Sequence, residues 1–287
     1  MRSEKEMLDI ILSFAKEDDR IKVVGMEGSR TNPDIPSDIF QDYDITYIVT
    51  DMDPFTENED WLEVFGERIF MQKPEDMSLY HPQLGNWYSY LMLFEDGIRI
   101  DLTIVPFEEL DLYLSSDSLL SILLDKDNLV GDFPVASNHI HYVERPSVQK
   151  FDDSCNEFWW VTTYVVKGLC RKEYLYAADY LNQIMRQELL RMLAWKVGIE
   201  HNFSVSVGKN YKYLEQYVCE ELWRRILATY DMASYEKMWE TLNCLQDLFR
   251  DVSKEVAEAL RFPYPEYDEK ITKYIEEMYE KHQIPNK

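Results

Sequence analysis

The chain has 287 residues and sets 30 Lys and Arg against 54 Asp and Glu, a formal net charge of −24, with 46% hydrophobic residues that include 20 Tyr and 7 Trp. So much apolar and aromatic side chain excludes a disordered or low-complexity chain, and the charge opposes attraction to nucleic-acid backbones and anionic membranes while favouring a polycation. The acidity is uneven: residues 1–150 hold 12 basic and 31 acidic side chains, residues 151–287 hold 18 and 23.

In chain order, residues 3–19 predict an amphipathic helix opened by a Ser3/Glu6 capping box rather than a signal peptide. Residues 21–29 read as a strand running into a turn, 30–41 as a polar loop rich in Pro and Asp, and 42–50 as a second strand. A helix is expected over 55–71. Strands follow at 87–95 and 98–106, joined by the hairpin signal Asp96-Gly97, and a further helix over 107–125. His139 and His141 would share one strand face but have no third partner for a metal. From about residue 151 apolar residues recur at helical spacing, with further helical patterns at 210–230, 232–260 and 267–282. The expectation is an α/β domain over residues 1–145 and a helical bundle over 146–287, divided near Arg145-Pro146. Cys155, Cys170, Cys219 and Cys244 form no CxxC pair and read as buried free thiols, which fits a reducing cytoplasm. No apolar run reaches the length of a membrane span.

Asp42 and Asp44 are two apart on a predicted strand and point the same way. In residues 98–106 the alternation puts Ile98, Ile100, Leu102 and Ile104 on one face and Arg99, Asp101 and Thr103 on the other. Asp101 is therefore a third carboxylate able to meet the first two if the strands are neighbours. Three converging acids repel one another unless a cation joins them, and an all-oxygen donor set suits Mg²⁺. Gly28 and Ser29 supply a turn whose backbone amides and hydroxyl suit phosphate oxygens. Taken singly, each acid reads more readily as a solvated strand position. The conjunction points to nucleotide chemistry.

The blocks GSRTNPDIPSDIFQDYDITYIV, LGNWYSYLMLFEDGIRIDLTIVP and VGKNYKYLEQY carry this further. In order and spacing they resemble the bacterial aminoglycoside 6-adenylyltransferases, streptomycin-modifying members of the nucleotidyltransferase superfamily, over nearly the whole chain. The resemblance implies an α+β or α/β nucleotidyltransferase domain, a mixed sheet with flanking helices, followed by a helical domain that binds acceptor and phosphate. It implies transfer of AMP from Mg·ATP to an aminoglycoside hydroxyl, the 6-hydroxyl of streptomycin, with release of pyrophosphate, and hence antibiotic resistance in the cytoplasm. By the same resemblance Asp42 and Asp44 hold Mg²⁺, present as a pair of ions, and Asp101 is ligand, base or both. ATP is the co-substrate. Neither nucleic acid nor membrane is an expected partner, and the sequence leaves the oligomeric state open.

For the nucleotide, Gly28, Ser29 and Arg30 are candidates, although Arg30 equally suits an ion pair with Asp34 or Asp38. Lys209 and Lys212 lie three apart, on one face at the predicted start of a helix, where the dipole favours anions; the bland reading is two solvated lysines. A polycationic sugar calls for carboxylates and aromatic walls. FDDSCNEFWW offers Asp152, Asp153, Glu157, Trp159 and Trp160, and Asp179 is a further option. Asp153 and Glu157 share a helix face, while Asp152 or Asp153 also suits an N-cap and the Trp pair also suits the core. Rival readings are an enzyme modifying RNA, which the charge opposes, one modifying protein, and a binder of nucleotide or cation without chemistry.

Overall fold

The computed structural model describes residues 1–283. They divide into two compact units, Met1–Ile140 and a second that begins at His141.

In the first unit α1 (Glu4–Glu17) opens with the expected capping box: the Ser3 side chain accepts from the Glu6 amide, and the Ser3 amide donates to the Glu6 carboxylate at 2.7 Å. Met7, Ile11 and Ala15, four apart, form its buried stripe, and the Tyr47 hydroxyl donates to the Ile11 carbonyl at 2.8 Å. The six strands are β1 (Ile21–Glu27), β2 (Tyr43–Val49), β3 (Arg68–Gln72), β4 (Tyr88–Phe94), β5 (Arg99–Pro106) and β6 (Leu120–Asp125), in spatial order β3-β4-β5-β2-β1-β6. β2 and β5 run parallel, and every other neighbouring pair runs antiparallel. The sheet is thus mixed, with helices on it, as the family resemblance implies.

Two expected helices turn out shorter. Residues 55–71 give α2 (Asp53–Thr56), a 3-10 stretch Asp60–Phe65 and then β3. Gly66, with φ 110°, ends the helical path, and the chain that follows pairs with β4. Residues 107–125 give α3 (Leu110–Leu114) and then β6. The run SLLSILLD has no period that separates helix from strand, and pairing with the open edge of β1 decides it. His139 and His141 lie in a 3-10 turn, not on a strand.

One face of β1, β2 and β5 changes character along the strands. Val23, Ile48 and Val105 are in register and buried. The next row is Gly25, Thr46 and Thr103, and the last is Glu27, Asp44 and Asp101. The apolar row anchors the sheet on Leu110 and Tyr113 of α3, and the carboxylate row stands at the strand ends beside the turn.

The second unit consists of α4 (Val148–Cys170), α5 (Tyr174–Tyr180), a π-turn Leu181–Met185, α6 (Arg186–Glu200), α7 (Glu220–Ala228), α8 (Tyr235–Leu260) and α9 (Tyr267–Gln283). Its core includes Phe158 and Phe249 stacked at 3.7 Å, with Trp159 edge-on. Each such ring withdrawn from water contributes about 2–3 kcal/mol. Arg250 forks onto Asp268 at 2.9 and 3.0 Å, joining α8 to α9. The helix expected at 210–230 is two 3-10 turns followed by α7, because Asn210 and Tyr211 take left-handed φ of 55° and 60°. Of the four free cysteines Cys155 is buried, whereas Cys219 and Cys244 are exposed, unlike the expectation. Among the described residues no helix is long and apolar enough to cross a membrane.

Candidate active site

The turn after β1 is built by Gly28–Thr31. Gly28 has φ +76°, and a Cβ there would overlap the Asp44 carboxylate, so both backbone conformation and close approach demand glycine. The turn is pinned to the chain entering β6: the Gly28 amide donates to the Leu119 carbonyl at 3.1 Å, and the Thr31 hydroxyl is 2.8 Å from the same oxygen. Gln41 donates to the Ser29 carbonyl at 3.1 Å. Beside the turn lies a cavity of about 650 Å³ whose lining includes Arg30, Thr31, Ser121, Asp125 and Phe133.

Arg30 is committed to the loop. Its guanidinium donates to the carbonyls of Asp42 at 3.0 Å and Gln41 at 2.9 Å, and stacks 3.7 Å over the Tyr43 ring. Its guanidinium lies 3.8 Å from the Glu4 carboxylate, rather than pairing with Asp34 or Asp38. The clamp holds the strand entrance that carries Asp42.

Asp44 and Asp101 are Cα partners on the parallel strands, and Asp42 stands two residues before Asp44. Asp101 is half-buried, and both of its oxygens accept from Arg99, at 2.9 and 2.8 Å. Arg99 Nη1 also lies 3.6 Å from Asp42 Oδ2. Hydrogen bonding to Asp101 raises the Arg99 pKa further above its ordinary value. Among the described residues no three His, Cys, Asp or Glu side chains are gathered to hold a metal ion. The donor chemistry nonetheless fits Mg²⁺: hard oxygens only, on one sheet face, beside a turn of backbone amides.

Glu27 completes the row and was not a sequence candidate. Tyr113 donates its hydroxyl to Glu27, reaching it through the space over Gly25, where a Cβ would collide with that hydroxyl. Burial pushes the Glu27 carboxyl up to about 7, and the nearby Asp44 and Asp117 charges add to the rise. The one available signal was a lone acid closing an apolar strand directly before Gly28-Ser29.

In the second unit a cavity of about 630 Å³ is lined by Glu144, Lys150, Asp153, Glu157, Glu188 and Arg191, with Trp195. Asp153 and Glu157, both exposed, come from α4, as their spacing indicates. Glu188, from α6, is 9% exposed; it accepts from Ser154 at 2.6 Å and from Arg191 at 2.9 Å. Sequence reading missed it because nothing local links it to α4. Asp179 is exposed on α5 and does not line this cavity. Trp159 is 1% exposed beneath the Arg250 guanidinium, so it is a core residue and not a ligand wall. Lys209 and Lys212 are exposed, but they begin and cap a three-residue 3-10 turn rather than opening a long helix. The dipole argument for them therefore falls.

The sequence matches the streptomycin adenylyltransferase family over residues 1–278. It is 55% identical over 275 residues to the aminoglycoside 6-adenylyltransferase of Campylobacter jejuni, covering 96% of this chain and 95% of that protein. The Bacillus subtilis (strain 168) protein of the same name is 51% identical, with 97% and 99% covered. That of Staphylococcus aureus is 43% identical, with 98% and 100% covered. An acid row beside a glycine turn, and sequence identity along almost the full length, lead to one conclusion: the chain belongs to the streptomycin adenylyltransferase family of nucleotidyltransferases.

Proposed function

We propose that the protein transfers AMP from Mg·ATP to a hydroxyl of streptomycin, the 6-hydroxyl, releasing pyrophosphate and thereby conferring resistance in the cytoplasm. The observation that carries this reading is the register of Asp44 with Asp101 beside the Gly28-Ser29 turn. With the Gly28 amide held by Leu119, the Ser29 amide and hydroxyl are the groups that the turn offers to the triphosphate. Asp42, Asp44 and Asp101 would hold Mg²⁺, which supplies neutralisation of the triphosphate and of the departing pyrophosphate.

Asp101 takes the proton of the acceptor hydroxyl as its oxygen bonds to the α-phosphorus. The bond from that phosphorus to the bridging oxygen breaks, and pyrophosphate leaves with the electron pair. Lys209 and Lys212 are cations for phosphate oxygens. Asp153 and Glu157, with the cavity they line, take the cationic acceptor, since carboxylates at a concave surface suit ammonium and guanidinium groups. Net charge and the acid-lined cavity both disfavour RNA as acceptor.

The test is product analysis. Streptomycin incubated with the protein, Mg²⁺ and ATP should gain one AMP by mass spectrometry, with the phosphate located at the 6-oxygen by NMR. Unmodified streptomycin after incubation with folded protein would end this reading, and AMP found on RNA instead would replace it.

A further inference from the structure

Arg99 has no part in the reaction as read above, yet it forks onto one acid of the site and approaches a second. It precedes Asp101 by two residues on β5, so both side chains share a face. Its fork takes both oxygens of Asp101, and its third nitrogen approaches Asp42. A guanidinium so placed and a divalent cation compete for the same acceptors and repel each other. A residue anchored in a strand cannot move far when displaced. The strong acceptors then within its reach are phosphate oxygens arriving with the metal, which a guanidinium binds as readily as a carboxylate. Other cations are scarce here, and Arg30 is held by Tyr43 and two carbonyls.

We propose that Arg99 is a partner-exchanging, nucleotide-binding residue: it pairs with Asp101 and Asp42 until metal and nucleotide arrive, then turns to the nucleotide's phosphates. The inference rests on the reading of the carboxylate row as the metal and nucleotide site. It gives a role to a basic side chain, 46% exposed, at the end of the sheet that carries Asp42, Asp44 and Asp101.

The exchange predicts shifts of opposite sign, which a merely structural role would not give. In Arg99→Met, the affinity for Mn²⁺ alone, followed by electron paramagnetic resonance, should rise about 5- to 30-fold as the competitor is lost. The affinity for a non-hydrolysable ATP analogue with Mg²⁺, followed by calorimetry, should fall by about the same factor. Arg99→Lys keeps the charge without the fork and should show smaller shifts in both. Shifts of the same sign, or unchanged Mn²⁺ affinity in folded Arg99→Met, would overturn the exchange. If folded wild-type protein binds neither Mn²⁺ nor the analogue, the metal–nucleotide reading fails first and this inference falls with it.

Discussion

Asp44 and Asp101 are Cα partners across the parallel strands β2 and β5, although a hairpin and a helical segment separate them in sequence. The parallel pairing places both acids at the same end of the sheet, where the Gly28 turn also lies. Asp44→Asn keeps the shape and removes the charge. It should reduce turnover about 10²- to 10⁴-fold, with the thermal midpoint within a few degrees of wild type. Steady-state rates and circular dichroism melting check both halves.

Gly28 and Gly85 form a controlled pair. Both have positive φ, +76° and +66°, but a Cβ on Gly28 would strike Asp44, whereas one on Gly85 would meet nothing within 4 Å. Gly85→Ala should cost about 1 kcal/mol in urea unfolding and leave turnover near wild type. Gly28→Ala should cost more and lose most of the turnover, because the acid must move.

Glu27 should leave a signature in stability against pH. Its folded pKa, raised to about 7 by burial, exceeds its ordinary 4.5. Below 4.5 both folded and unfolded chains hold the proton, and there the pair with Tyr113 brings no penalty. Between 4.5 and 7 the unfolded chain releases it first, so the native state loses about 3 kcal/mol as pH rises, after which the loss is constant. Glu27→Gln keeps an acceptor for Tyr113 and removes the titration. The unfolding free energy of wild type minus Glu27→Gln, by urea at pH 4 and pH 8, should therefore fall by about that amount. An unchanged difference would show that Glu27 is not raised.

The cavity of the second unit bears on the acceptor. Asp153→Asn and Glu157→Gln should each raise the KM for streptomycin about 5- to 20-fold and change kcat little, since they remove attraction to the cation and not chemistry. Trp159→Phe should act through stability instead, costing about 1–3 kcal/mol with KM unchanged, because its ring is in the core.

The parts legible in the sequence are those with local physical signals. Asp96-Gly97 marked the β4–β5 turn, the Ser3/Glu6 box marked α1, and alternation put Asp101 opposite Ile100 and Leu102. β3 and β6 were hidden because short apolar runs acquire their type from the edge they pair with. Glu27 was hidden for a related reason. β1 is buried on both faces, so its pattern shows no alternation, and the register with Asp44 alone reveals which face Glu27 joins. Glu188 meets Ser154 through helix packing, and the left-handed residues at Asn210 and Tyr211 broke a helix that spacing alone favoured.

Pyrophosphate release from Mg·ATP, with and without streptomycin, by wild type and by Asp101→Asn, tests the central claim most directly. The account predicts release that depends on streptomycin and falls at least about 10²-fold in the variant. No streptomycin-dependent release from folded wild type, or equal release by Asp101→Asn, would contradict it.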